Sequence, residues 1–205
     1  MSERPTGVRM LRPNLDGLAP LEPVLAAWPA AYTLRTYQPG DEAGWATLMN
    51  TGDMGHWDAE TTREKLTGHP YPQFDPAGLF MATYGPKQTI IGSACAWLVD
   101  PTQTELGTLH MVCVLPEHRG LRLSHAVCLA VLHRFRERGF QRVNLSTGSQ
   151  RKSAVKVYLE LGFQPLYQQP WHPELWQEIV EALNWRQPLV PVAEQPERKC
   201  ATNQA

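Results

Sequence analysis

The residues best suited to chemistry stand in the stretch VCVLPEHRGLRLS, residues 112–124. Pro116 interrupts an alternating apolar run, and Arg119, Gly120 and Arg122 follow before a helical pattern begins. The first N–H groups of a helix lack partners inside the helix, and the helix dipole places partial positive charge there. A glycine lets a ligand approach the backbone closely, and the arginines add full charges. The turn therefore predicts a binding site for a phosphate or a diphosphate.

The strand before this turn predicts a second kind of contact. A proline cannot donate to a β ladder, so ordinary pairing is expected to stop just after residues 112–114. A strand without a partner offers N–H and C=O groups that can pair with an extended ligand carrying amides. Coenzyme A meets both requirements, because its amide-bearing pantetheine arm leads to a pyrophosphate.

The same stretch resembles the signature of the GCN5-related N-acetyltransferase (GNAT) superfamily, in which an arginine or a glutamine begins a glycine-rich turn. Arg119 matches the first position of that signature. Arg122 stands where the family usually has glycine, and Ser124 stands where it has glycine or alanine.

A second segment, SAVKVYLELGFQP (153–165), is similar to another motif of this family. The matching positions are Ala154, Tyr158, Gly162 and Phe163. Arg151 stands where the family often has an asparagine. The two motifs follow the family's order at a separation of about 35 residues, and together they are more specific than either alone. The resemblance covers roughly residues 32–170.

The resemblance implies an acetyl-CoA-dependent N-acetyltransferase, in which an amine attacks the thioester directly without an acyl-enzyme. The main chain of Val112, Cys113 and Val114 is then expected to hold the pantetheine. The turn expected to hold the pyrophosphate consists of Arg119, Gly120, Leu121, Arg122, Leu123 and Ser124. Arg151 is expected to alter the cofactor contact that the family's asparagine makes.

Two residues are candidates for proton transfer. With the family match, Tyr158 is the candidate general acid, because a phenol with its ordinary pKa of about 10 is protonated at neutral pH and can protonate a leaving thiolate. His110 is the candidate base; it precedes Val112 by two strand positions, so both side chains should project from the same face. A core tyrosine and a half-buried histidine are the structural alternatives. Cys113 has the opposite parity and apolar neighbours, which disfavours covalent catalysis.

Two loops, 54–57 and 69–76, are rich in aromatic and histidine side chains and, in the resembled fold, border the acceptor site. These side chains are His56, Trp57, His69, Tyr71 and Phe74. They favour a small or partly apolar amine acceptor, with ordinary loop packing as the alternative. His56 and His69 lack the spacing of a metal site, and no metal is expected.

The apolar patterns predict the elements that position these groups. Their order is β, α, α, β, β, β, α, β, α, β, α, with Asp41 and Asp58 as helix N-caps. Antiparallel strands followed by strand–helix alternation predict one α/β (α+β) domain. The resemblance implies a mixed, mostly antiparallel twisted sheet with splayed central strands, flanked by helices.

The proline-rich ends suggest the domain limits. We expect a partly ordered N-terminal extension over residues 1–30, an acyl-CoA N-acyltransferase-like domain over 31–185 and a flexible tail over 186–205. The extension is expected to pack on the domain through Leu18, Leu21, Val24, Leu25 and Trp28. The helix near the C terminus, with Trp171, Trp176 and Trp185 around it, is expected to pack against the domain or against a second subunit.

Composition excludes several classes of function. The formal net charge is −1, so a basic nucleic-acid-binding surface is not expected. No window approaches ~18 consecutive apolar residues, so a membrane span is not expected. The first residues lack the apolar run of a signal peptide and the four cysteines form no CxxC pair, which favours a cytoplasmic protein.

Two other functions compete with acetyl transfer. A catalytically inactive acyl-CoA-binding sensor or interaction module would use the same turn, and a blocked acceptor cleft would favour it. A dinucleotide-binding domain is disfavoured, because the turn lacks G-x-G-x-x-G and the early hairpin does not fit a repeated βαβ plan.

Overall fold

The computed structural model describes residues 6–52, 54–67, 74–98 and 105–192. Within these ranges the strands are β1 (Gly7–Arg12), β2 (Tyr32–Thr36), β3 (Phe74–Tyr84), β4 (Thr89–Trp97), β5 (Leu106–Val114), β6 (Arg142–Gly148) and β7 (Gln164–Pro165). The helices are α1 (Glu22–Ala26), α2 (Glu42–Thr51), α3 (Ala59–Thr67), α4 (Leu123–Glu137), α5 (Lys152–Glu160) and α6 (His172–Leu183). A 3₁₀ turn, Pro116–His118, connects β5 towards α4.

The strands form one mixed sheet in the order β2-β3-β4-β5-β6-β1-β7. The β5–β6 pair is parallel and the other pairs are antiparallel. Helix α4 packs across β3, β4 and β5 on one face, while α2 packs on β4 and β5 over a second apolar cluster. The expected α/β fold with a mixed, mostly antiparallel sheet is confirmed.

Strand β1 was not predicted from the sequence. It lies between β6 and β7, and it pairs with β6 along its whole length, from Gly7–Gly148 to Arg12–Val143. Val8 and Met10 are buried and alternate with more exposed neighbours, which is the strand signal that this short segment contains. The predicted strand near residue 165 is reduced to two residues, which also pair with β1.

The expected packing of the N-terminal segment and one of the two expected helix N-caps are observed. Trp28 is buried, and the other apolar residues expected to anchor the N-terminal segment pack against the main core. Asp58 caps α3, since the Thr61 N–H donates to its carboxylate at 2.7 Å. The prediction for Asp41 was wrong: its side chain makes no cap bond, and it instead pairs with Arg35 at 2.6 Å.

Two further expectations concern helix α6 and the C-terminal tail. Trp176 and Ile179 of α6 are buried in the main core, so this helix packs against its own domain. Residues 193–205 of the expected tail lie outside the described residues.

In the part of the chain that the structure describes, no helix has the length and apolarity needed to cross a membrane.

Candidate active site

A gap between β5 and β6 is the central feature of the candidate site. The two strands pair through Leu106–Arg142, Gly107–Val143 and Thr108–Asn144. At the last of these pairs the Thr108 hydroxyl donates to the Asn144 side-chain oxygen at 2.8 Å. Beyond it, the described residues show no further ladder between these strands, although β5 stays paired with β4 as far as Val114. One edge of residues 109–114 therefore has no strand partner.

The orientation of the main chain determines which groups face this gap. The Leu115 N–H donates to the Ile91 carbonyl at 2.9 Å, so the main chain of Leu115 points towards β4. Along a strand these groups alternate between the two edges. The N–H and C=O groups of Val112 and Val114 therefore point into the gap. Those of Cys113 point back to β4, which corrects the expectation that its main chain holds a ligand.

A β-bulge at Met111 changes the parity of the strand. The register shifts between the pairs Ser93–Cys113 and Cys95–His110, and Met111 has a φ of 51°. Because a bulge adds one residue, His110 now faces the same side as Cys113, whose side chain packs under α2. Val112 packs into the core on the other face. The prediction that His110 and Val112 share a face was therefore wrong.

The turn between β5 and α4 exposes main-chain groups. After the 3₁₀ turn, Arg119 is extended, Gly120 has a φ of 88°, and Arg122 adopts a left-handed φ of 57° at the helix N-cap. No side-chain cap bond forms there, and a Cβ at Gly120 would meet only open space. The first N–H groups of α4 thus face an exposed turn, as an anion-binding site requires.

The two arginines of this turn differ in their surroundings. The Arg122 guanidinium lies 3.6 Å from the Glu160 carboxylate of α5. Arg119 is exposed and has no ion pair among the described residues. Arg119 therefore supplies the positive charge that is free to meet a ligand.

The N-terminal end of α5 lies at the end of β6, the strand that borders the gap. Arg151 precedes this helix, and its guanidinium donates to the Met54 sulfur at 3.3 Å, so it reaches the loop between α2 and α3. Burial raises the pKa of Cys113, while the charges of Arg119 and Arg151 lower it. The thiol therefore stays protonated, which is consistent with the expectation against covalent catalysis.

Tyr158 on α5 is almost fully buried and contacts Phe163 edge-to-face, with ring centroids 6.0 Å apart. Burial raises its pKa far above the ordinary value, nearby Cys128 adds to this, and the charge of Arg151 acts in the opposite direction. The phenol is therefore protonated at any physiological pH and can act only as a proton donor.

A cavity of about 230 Å³ opens on the α2–α3 side of the sheet. It is lined by Trp45, Trp57, Lys65, Leu66, Cys95, Trp97, His110 and Met111. Since His110 and Met111 belong to the bulge, the cavity lies beside the strand that borders the gap. The His110 side chain reaches solvent, but the cavity walls remove part of its hydration, and this lowers its pKa.

Only part of this cavity was foreseen from the sequence. Trp57 lines it as expected, whereas His56 is exposed and does not. His69 and Tyr71 lie outside the described residues, as does the Phe74 side chain. Trp45 and Trp97 were missed, because they come from a helix and a strand whose apolar patterns predict only core packing.

Comparison with known proteins gives this geometry a context. Residues 45–163 match the model of the Acetyltransferase (GNAT) family. Over 146 residues the chain is 34% identical to a mycothiol acetyltransferase of Thermobispora bispora, covering 66% of this chain and 47% of that protein. Over 163 residues it is 33% identical to the mycothiol acetyltransferase of Thermomonospora curvata, covering 76% and 50%. The chain thus spans about half the length of the curated relatives it matches.

A solved structure shows the same fold. The GCN5-related N-acetyltransferase of Sphaerobacter thermophilus superposes with a TM-score of 0.62 at 23% identity, over 79% of this chain and 49% of that one. Residues 45–163, which match the family model, include both sides of the gap and all eight residues that line the cavity.

Proposed function

The chain belongs to the acetyltransferase (GNAT) family, and on that premise we propose that it transfers the acetyl group of acetyl-CoA to the primary amine of a small molecule. The observation that carries this proposal is the open edge of β5 after Thr108, directly followed by an exposed turn at a helix N-terminus. An amide-bearing arm that ends in a pyrophosphate fits both parts of this surface.

On the donor side, each part of acetyl-CoA meets a group of matching chemistry. The main chain of Val112 and Val114 pairs with the pantetheine amides as a neighbouring strand would. The N–H groups at the start of α4 and the Arg119 guanidinium bind the pyrophosphate, with charge-assisted hydrogen bonds supplying most of the polar affinity. Arg122 contributes its main chain, because its side chain lies beside Glu160.

On the acceptor side, His110 lies on the cavity wall because of the bulge, which supports the role that we assign to it in deprotonating the acceptor. An ammonium ion must lose one proton before its nitrogen can attack, and neutral His110 can accept that proton directly or through water. The neutral amine nitrogen then bonds to the thioester carbonyl carbon and releases a second proton to solvent as the amide forms, while the bond from that carbon to sulfur breaks. Alignment of the two reactants by the cleft and the cavity supplies a large part of the rate.

Tyr158 is the proton donor that we assign to the departing thiolate. Its raised pKa keeps the proton in place at neutral pH, but it also makes the phenol a weak acid. Arg151 compensates in part, because its positive charge lowers the pKa of Tyr158. This effect on Tyr158 is the role that we assign to the arginine that replaces the family's usual asparagine.

The names of the matched relatives supply the reaction type but not the acceptor for this chain. They are called mycothiol acetyltransferases, and this chain corresponds to about half of each. The acceptor is therefore assigned from the cavity, whose walls are mostly apolar.

Two measurements test the proposal. Calorimetry with acetyl-CoA and with CoA should show binding of both, and a thiol-detecting reagent should then show CoA release with at least one member of a panel of primary amines. Binding without release for any amine would instead support the acyl-CoA-binding sensor. No binding of either ligand would refute both functions.

A further inference from the structure

Three tryptophan side chains, Trp45, Trp57 and Trp97, line the acceptor cavity. The Trp45 ring N–H donates to the Ser93 hydroxyl at 3.1 Å, and the Trp57 ring N–H donates to the Met54 carbonyl at 2.9 Å. Trp45 and Trp57 meet edge-to-face, with ring centroids 5.1 Å apart. Because protein groups already satisfy these two N–H groups, a ligand meets flat apolar surface rather than hydrogen-bond donors.

Trp97 closes the cavity on the side of β4. Its ring contacts the His110 ring edge-to-face, with centroids 5.5 Å apart. The walls therefore lead directly to the imidazole assigned to the acceptor amine. Ligand pockets commonly enclose about 300–1,000 Å³, so a cavity of about 230 Å³ suits a molecule of amino-acid size.

The charge of the cavity is as informative as its shape. Lys65 is the charged residue among the eight described residues that line the cavity, and none of these eight carries a carboxylate. The Lys65 ammonium lies 4.4 Å from the centroid of the Trp57 ring, so a cation is held at the edge of the aromatic surface. A ligand with several positive charges would be repelled here, whereas a carboxylate would find a partner.

The same charge distribution favours the reactive form of an amine. A nearby positive charge and loss of hydration both disfavour an ammonium ion, so they lower the pKa of a bound amine. His110 provides a neutral acceptor for the released proton. An amine that enters this cavity is thus converted to a nucleophile without a carboxylate base.

From these observations, and on the premise of the proposed function, we infer that the acceptor is a small primary amine with a flat aromatic body and a carboxylate. Aromatic amino acids represent this class. The ring lies among Trp45, Trp57 and Trp97, and the amine approaches His110. The carboxylate pairs with Lys65.

Four amines separate the parts of this inference in the thiol-release assay. Phenylalanine has the ring and the carboxylate, phenethylamine lacks the carboxylate, alanine lacks the ring, and putrescine carries two positive charges. We expect the largest kcat/KM with phenylalanine and the smallest with putrescine. A larger kcat/KM for phenethylamine or for putrescine than for phenylalanine would overturn the assignment.

Lys65 provides a test at the level of one residue. Lys65→Gln should raise the KM for phenylalanine about fivefold, as expected for an exposed ion pair, and leave the KM for phenethylamine unchanged. Lys65→Arg should retain the preference. Lys87→Gln, at an exposed lysine of the β3–β4 turn, is the matched control and should change neither value. An equal effect of Lys65→Gln on both amines would contradict a carboxylate contact.

A probe without an amine separates this inference from the proposed function. 3-Phenylpropanoate has the ring and the carboxylate but cannot be acetylated. Titration by quenching of tryptophan fluorescence should give a lower Kd for the wild type than for Lys65→Gln. Acetyl-CoA binding in calorimetry, without such quenching, would overturn the acceptor class and leave the transferase proposal standing. Quenching without acetyl-CoA binding would refute the transferase proposal, and the cavity would still bind aromatic carboxylates.

Discussion

The donor cleft, which comprises residues 108–124, and the acceptor cavity beside it are built in opposite ways. The groups that the cleft offers to a ligand come from one continuous stretch of chain, although β6 borders its other side, and they are mainly main-chain N–H and C=O groups. The cavity is made by side chains from α2, α3, the loop between them, β4 and β5. A site made of main-chain groups tolerates changes of side chain, which explains how this turn can carry Arg122 and Ser124. A site made of side chains changes its ligand with each substitution.

The two regions meet at the bulge of β5. Without the extra residue, strict alternation would place His110 on the same face as Val112, away from the cavity. With it, His110 and Met111 both line the cavity, while the main chain of Val112 faces the gap. The left-handed φ of 51° at Met111 is unfavourable for a residue with a Cβ, by about 1–2 kcal/mol. The strained bulge thus sets the open edge of β5 next to the cavity wall.

Tyr158→Phe is expected to have the largest effect, because it removes the proposed proton donor for the leaving thiolate, which is needed whichever acceptor is bound. If the phenol protonates the leaving thiolate, kcat should fall about 100-fold. The affinity for acetyl-CoA should stay the same, since the ring remains in place against Phe163. Stopped-flow thiol detection and calorimetry measure the two quantities.

Tyr167→Phe is the matched control, because Tyr167 is a partly buried tyrosine that packs on the same core. It should leave kcat unchanged. Equal turnover by wild type and Tyr158→Phe would show that solvent, not this residue, protonates the thiolate.

Arg119→Glu tests the donor cleft alone. Reversal of the charge beside the pyrophosphate should weaken acetyl-CoA binding about 30-fold, which corresponds to about 2 kcal/mol. The cavity is separate, so binding of 3-phenylpropanoate should not change. Arg136→Glu, at an exposed arginine near the far end of α4, controls for the change in net charge. An unchanged Kd for acetyl-CoA would mean that the turn does not hold the phosphates.

The contrast between the regions also explains what could be predicted from the sequence. The donor cleft follows mostly from neighbouring residues, although the gap opens after Thr108 rather than at Pro116. The end of β5, the Arg119 turn and a helix that begins near Gly120 could therefore be identified directly. The bulge at Met111 could not, because no glycine or proline marks it and the apolar run continues through it.

Long-range features were the least predictable. Trp45, Trp97 and Lys65 meet only after folding, and each fits an ordinary pattern in its own segment. Strand β1 is far in sequence from both of its partners, and only six residues carry its alternating pattern. Local periodicity contains no information about such pairings.

His110→Gln tests the acceptor cavity through pH. Since partial burial lowers the pKa of His110 below its ordinary value of about 6.5, its neutral form persists at mildly acidic pH. The wild-type kcat/KM should therefore rise with pH along a limb that lies below pH 6.5. In His110→Gln this limb should disappear, with a loss of about tenfold at pH 7. A limb that survives the substitution would assign the titration to another group.

Arg122→Gly is expected to have the smallest effect, and it tests whether the turn binds phosphate through its main chain or through the Arg122 side chain. The left-handed conformation of Arg122 costs about 1–2 kcal/mol relative to glycine. Glycine removes this cost, but it adds freedom to the unfolded chain, worth about 0.4–1 kcal/mol. It also loses an exposed ion pair with Glu160, worth about 0–1 kcal/mol. At the middle of these ranges the three contributions nearly cancel, so the free energy of unfolding in urea should change by less than about 1 kcal/mol in either direction.

Arg122→Ala separates these contributions, because it loses the ion pair but keeps the unfavourable φ. It should be less stable than Arg122→Gly. If the turn binds phosphate through its main chain, both variants should bind acetyl-CoA within about twofold of the wild type, since an exposed charge at this distance contributes little. A tenfold loss of affinity in both variants would show that the Arg122 side chain leaves Glu160 to contact the ligand, and the donor cleft would then depend on side chains as the cavity does.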